Sequence, residues 1–209
     1  MFQRIRVIAK RELLSSFVMP LAYVVLAGFL LISGFFFFLY LGTFNSALEV
    51  SKLRSGPPPS INEMVVIYFF HTQEIILLFL LPILSMKAVA EEKLSGAVEL
   101  LATAPLRFYE LIVGKFIGIA SLVTIMLLLS FIYPVLLLVV ADPEVGPILS
   151  GCFGVMLYAL ALTAIGIMIS AATKSQAVAG VVTLVVCLVL YVIDAPAEFL
   201  EGPWAQVLR

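Results

Sequence analysis

The chain has 209 residues, 63% hydrophobic and 12% charged, with a net charge of −1 and a mean hydropathy of +1.20. Soluble domains are about a quarter charged, so this composition lies far outside the soluble range, and its near-neutral balance gives no footprint for nucleic acid. The two cysteines, Cys152 and Cys187, lie inside apolar runs, make no disulfide framework, and read as small packed side chains.

In chain order, the first element is a helix-like segment. Phe2, Ile5, Ala9, Leu13 and Phe17 share one stripe, with Arg4 and Arg11 opposite and Lys10 on the flank. Such a helix suits the headgroup layer, its basic side chains facing anionic lipid. A plain continuation of the first span is the alternative. That span is expected from Pro20 to Leu41, about the 20 residues that cross a hydrocarbon core. A loop, Gly42–Asn62, follows, and its prolines at Gly56–Ser60 exclude helix there.

Further charge-free apolar runs place spans at Met64–Met86, Phe116–Val140, Ile148–Ala172 and Ala177–Ile193. A segment in lipid must satisfy its own backbone, and the alternation of a β-barrel is absent, so all five are read as helices. The expected fold is an all-α, polytopic membrane bundle. Pro82 and Pro134 are expected to kink their helices. Nine of the twelve Lys and Arg fall on one side: Arg4, Arg6, Lys10, Arg11, Lys87, Lys93, Arg107, Lys115 and Lys174. Only Lys52, Arg54 and Arg209 fall on the other. This asymmetry predicts a cytoplasmic N-terminus and an extracytoplasmic Asp194–Arg209.

Span two carries the main polar cluster inside the membrane: His71, Gln73 and Glu74. Glu74 precedes Met86 by 12 residues, or ~18 Å at ~1.5 Å per residue, in the outer half of the bilayer. It is either a polar point on a translocation path or, if the span starts near Phe69, a headgroup-level residue. A single histidine does not make a metal site.

The longest charge-rich stretch lies between spans two and three, Ala90 to Lys115. On a helix, Ala90, Leu94, Ala97, Val98 and Leu101 share one face, and Glu92, Ser95, Gly96 and Glu99 the other. Lys87 and Glu91 stand at i,i+4. Pro105 ends the helix, and Gly114-x-x-x-Gly118 offers a close-packing face on the way back into the membrane. A helix that leaves the bilayer, turns and returns can sit in a cleft of a soluble partner; an ordinary solvated loop helix is the alternative. The sequence has no G-x-x-x-x-G-K-[ST] phosphate loop, so ATP chemistry is left to a separate subunit. Nor has it a G-x-S-x-G or H-E-x-x-H element, and one histidine cannot serve the paired Glu91-Glu92 as a protease site, so no catalytic residues are assigned.

The run Met86–Phe116 resembles the signature of type-2 ABC transporter permeases: Lys87, Glu91-Glu92-Lys93, Gly96, Glu99-Leu100-Leu101, Pro105-Leu106-Arg107 and Gly114-Lys115 stand in the family's order. Ile8–Leu13, Asp142–Gly151 and Ser170–Gly180 extend the resemblance over nearly the whole chain, closest to the gliding-motility-associated branch. The resemblance implies an interfacial elbow helix over 1–19, with lipid contacts at Arg4, Lys10 and Arg11, and a transmembrane domain over 20–193. Within that domain it implies a coupling helix at 87–104, meeting the ATPase through Glu91, Glu92, Lys93, Ser95, Gly96, Glu99 and Pro105. It implies two permease copies, as homo- or heterodimer, and an ABC ATP-binding subunit holding ATP and Mg, with no cofactor on this chain. The setting is the inner membrane. The family norm is six spans, so 194–209 is expected to lead to a sixth that is missing. Export of a substrate and mechanical work on a periplasmic or envelope partner both fit; a passive channel or an assembly factor is the competing class.

Overall fold

The computed structural model describes residues 2–18, 20–54, 57–90, 93, 108–140 and 143–192. Among them every regular element is helical. In order these are α1 (Phe2–Val18), α2 (Pro20–Leu53), a π-helical segment (Asn62–Val66) running into α3 (Ile67–Ser85), α4 (Phe108–Ser130), α5 (Ile132–Val140), α6 (Val145–Ala172) and α7 (Gln176–Val192). Four stretches are long and apolar enough to cross a membrane: Ala22–Leu53, Asn62–Ser85, Tyr109–Leu138 and Val145–Ala172. The fold is therefore an all-α polytopic bundle, as the apolar runs imply. The expected fifth span corresponds to α7, apolar and described over 17 residues. That is the lower end of the ~17–25 residues that cross a bilayer. Residues 193–209 lie outside the described residues.

Two boundaries depart from the sequence reading. α2 does not stop at Leu41 but runs 34 residues to Leu53. Apolarity marks where lipid ends, not where a helix ends. Beyond Gly42, the residues Phe44, Ala47, Leu48 and Ser51 keep helical spacing and are half-buried, so a packed face carries the helix onward. The second departure is span three, whose helix starts at Phe108 rather than Phe116. Charge suggested a boundary there, yet Glu110 and Lys115 are buried within the helix at 3% and 4% exposure. The same stretch breaks at Phe131, between α4 and α5. Pro134 has no N–H to give the Ser130 carbonyl four residues back, so the ladder is interrupted as expected. Pro82, by contrast, sits inside an unbroken α3.

The chain divides into two units, Met1–Leu77 with Tyr109–Ala161, and Leu78–Phe108 with Leu162–Arg209. The first unit is built on aromatic side chains. Phe37, Phe69 and Tyr133 meet pairwise with ring centroids 5.5 to 6.1 Å apart, the edge-on and tilted contacts that ring quadrupoles favour. The Tyr133 hydroxyl donates to the Leu30 carbonyl at 3.0 Å. Gly34 makes room for it: a Cβ there would stand 2.6 Å from that hydroxyl. The Phe35–Phe38 run is thus split, Phe37 being 2% exposed while Phe35 and Phe38 are over 60% exposed.

The second unit is packed through small and polar residues. Ser85, Ala88, Val89, Ala90, Thr163, Ser170, Ala179, Thr183 and Cys187 are all buried. A Cβ on Gly166 would sit 2.1 Å from the Ser85 hydroxyl, so α3 and α6 approach as only glycine allows.

Candidate functional site

Of the residues assigned to coupling, Glu91, Glu92, Ser95, Gly96, Glu99 and Pro105 lie outside the described residues; Lys93 lies within them. What the structure does describe is the root from which that segment springs. Residues 86–89 form a turn after α3, and Ala90 resumes helix. The first N–H groups of a new helix have no partner within it. Here Ser170, in the last turn of α6, supplies one. Its hydroxyl accepts from the Val89 and Ala90 N–H groups, both at 3.1 Å, and donates to the Met86 carbonyl at 3.1 Å. A hydroxyl has one donor and two acceptor sites, so Ser170 is saturated. Lys93 closes the arrangement by donating to the Ala171 carbonyl. A cation on the last carbonyls of a helix is favoured by its dipole. The start of the charged segment is thereby tied to the end of α6 by four hydrogen bonds. The sequence singles out Ser170 only as the start of the Ser170–Gly180 stretch of the family resemblance; periodicity does not reveal which small residue carries a hydrogen-bond network.

The segment returns to the membrane through α4, and there the first unit clamps it to α1. Arg4 pairs with Glu110 at 3.9 Å, and Lys115 donates to Glu12 at 3.3 Å. Along the same seam two glycines bring the backbones together. A Cβ on Gly114 would stand 2.7 Å from the Ile8 Cβ, and one on Gly118 2.6 Å from the Glu12 Cβ. Arg4 meets Glu110, Ile8 meets Gly114 and Glu12 meets Gly118, steps of four along both helices, so α1 and α4 run in the same direction. The expected close-packing role of Gly114 and Gly118 is seen, and their partner is α1.

The sequence leaves the partner of the α1 stripe of Ile5, Ala9 and Leu13 unnamed. Ala9 is only 8% exposed, and the Ile5 and Ala9 carbonyls lie against Gly114 and Gly118. The exposed apolar residues are instead Val7, Leu14 and Val18. Lys10 and Arg11 are exposed, as a headgroup contact requires, whereas Arg4 is half-exposed and engaged with Glu110.

The polar cluster of span two is divided by the structure. His71 and Glu74 share a cleft of about 230 Å³ with Val66, Ile67 and Phe70. The opposite wall is the start of α6: Pro147, Ser150 and Gly151. The His71 Nδ1 lies 3.3 Å from Glu74 Oε2, an ion pair when the imidazole is protonated. Gln73 is not in this cleft. It is fully buried, and neither of its amide atoms has a hydrogen-bond partner. Helical residues Asn62–Ser85 put Glu74 12 residues from one end and 11 from the other, near the middle of the stretch. Among the described residues, no three His, Cys, Asp or Glu side chains converge to hold a metal.

A family model described as ABC-2 family transporter protein matches residues 48–209. No curated protein and no solved structure matches the chain.

Proposed function

The chain belongs to the ABC-2 family of transporter proteins and is a permease subunit of an ABC transporter, and we propose that it couples ATP hydrolysis on a separate subunit to export of a substrate. The observation that carries the coupling reading is the Ser170 junction. A loop helix that merely floats in solvent needs no such root; one that transmits force does. Ser170 and Lys93 make the first turn of the charged segment continuous with α6 through hydrogen bonds. At the other end of the segment, Lys115 and Glu110 make α4 continuous with α1. A pull on residues 87–104 thus reaches membrane helices at both ends.

In this reading Glu91, Glu92, Ser95, Gly96, Glu99 and Pro105 form the face that docks on an ATP-binding subunit, which supplies ATP and Mg. Two permease copies and two ATPases make the working unit, in the inner membrane. The Lys and Arg count supports a cytoplasmic N-terminus. The narrower assignment to the gliding-motility branch rests on Ile8–Leu13, Asp142–Gly151 and Ser170–Gly180. His71, Glu74 and the buried Gln73 amide are the polar points along span two from which a translocation path would be built.

The test is crosslinking. Cysteines at Ser95 and Glu99 are expected to crosslink to a cytosolic ATP-binding protein that co-purifies with the chain. An intact complex in which neither position crosslinks would remove the docking assignment.

A further inference from the structure

The cleft beside His71 has a one-sided chemistry. Glu74 is a carboxylate and only accepts hydrogen bonds. Ser150 spends its single O–H on the Pro147 carbonyl at 3.1 Å, so its oxygen faces the cleft as an acceptor only. With the His71 Nδ1–H directed to Glu74, the free ring nitrogen Nε2 is also an acceptor. Among the described residues, no Lys or Arg lines the space. With Glu74 ionised, the net charge of the lining is −1 with His71 neutral and zero with His71 protonated.

The remaining lining is apolar: Val66, Ile67, Phe70 and Pro147. Gly151 sets the floor, since a Cβ there would be 2.3 Å from the Phe70 ring. The volume of about 230 Å³ is that of roughly seven liquid waters at ~30 Å³ each. It suits a head group and a few carbons rather than a whole large ligand. Ile67 at the rim is 46% exposed, and Leu149 and Phe153, near in α6, are 65% and 67% exposed. A longer apolar tail therefore has a lipid-facing surface to follow.

We propose that this cleft binds the ammonium head of a primary-amine amphiphile. With His71 neutral the lining side chains offer acceptors without donors, which select an N–H cation, and the ionised carboxylate supplies the opposite charge. The proposal deepens the permease reading by naming a ligand class. It rests on that reading only in treating the ligand as cargo.

The test uses the full chain in phosphatidylcholine nanodiscs, with Cys152→Ala and Cys187→Ala removing background and Ile67→Cys, at the apolar rim, as reporter. Maleimide labelling is timed against hexylammonium, hexanol and hexanoate, which share a tail and differ in head. Hexylammonium is expected to protect at concentrations at least tenfold below hexanol, with hexanoate inert. Glu74→Gln should abolish that preference, while His71→Ala should retain it. Equal protection by hexylammonium and hexanol, or a preference that survives Glu74→Gln, overturns the proposal. If Glu74→Gln fails to accumulate, the three-ligand comparison on the Glu74 chain decides alone. Baseline protection in nanodiscs containing phosphatidylethanolamine, but not in phosphatidylcholine alone, supports the class and makes a lipid ammonium its source. ATP turnover of the reconstituted transporter is read separately. Protection without stimulation leaves the site standing and counts against the cargo reading alone.

Discussion

Removing the Glu12 carboxylate should detach α1 from α4. Breaking a fully buried ion pair costs ~3–5 kcal/mol, whereas a surface pair contributes ~0–1 kcal/mol. Lys115 is 5% exposed and Glu12 27% exposed, so Glu12→Gln falls between, at ~2 kcal/mol. For a chain of this size that is a fall of about 4–8 °C in Tm. Gly114→Ala should act through the same contact. Its Cβ would lie 2.7 Å from the Ile8 Cβ, where carbon atoms need ~3.5–4.0 Å. The helices must part by roughly 1 Å, which takes the 3.3 Å Lys115–Glu12 pair to roughly 4 Å, near the limit of an ion pair. The assay is thermal aggregation of the purified chain together with trypsin cleavage at Lys10 and Arg11, which quickens as α1 loosens. A double-mutant cycle with Lys115→Met isolates the pair, with an expected coupling of ~1–2 kcal/mol. Strictly additive single mutants, or cleavage unchanged in Glu12→Gln, would refute the clamp.

Ser170→Ala leaves two buried N–H groups without their acceptor, for a loss of ~2–4 kcal/mol. Thermal stability and retention of the ATPase should fall together, and unchanged values for both would show that the junction holds nothing. Glu91→Ala with Glu92→Ala should leave expression near normal, because a carboxylate on the polar helix face that the sequence predicts stabilises a fold little. Substrate-stimulated ATPase activity of the reconstituted complex should drop; full stimulation at full stoichiometry means the two carboxylates are simply solvated. In intact cells, an impermeant maleimide should label Ser55→Cys and Glu144→Cys and spare Lys93→Cys, and the reverse pattern inverts the topology.

Sequence alone reached the spans because lipid imposes one strong rule, an unbroken apolar run long enough to cross. α6 was read as Ile148–Ala172 and is Val145–Ala172; the α3 end was read at Met86 and is Ser85. The rule failed where something other than lipid decides a helix end. α2 continues in helix past Gly42 because a half-buried face sustains it. α4 begins eight residues early because Glu110 and Lys115 find partners on α1, which removes the cost that made them look like a boundary. Those partners lie 106 and 103 positions away in sequence, beyond any periodicity. The GxxxG face was visible as a place for close approach, and its occupant was not. In the same way His71, Gln73 and Glu74 are neighbours in sequence, yet the helical turn sends Gln73 inward and the other two to a cleft. The assignment of residues to coupling, Lys93 included, rests on sequence pattern, and all of them but Lys93 lie outside the described residues.

The length of α2 carries a mechanical consequence. Its 34 residues span ~51 Å at ~1.5 Å per residue, against a hydrocarbon core of ~30 Å. A rod of that length amplifies rotation: each degree of tilt about one end displaces the other by ~0.9 Å. A five-degree lean therefore sweeps the tip at Leu53 through ~4 Å, and Phe37, midway along, through ~2 Å. A small angular change within the membrane becomes a side-chain-sized displacement in the water beyond it.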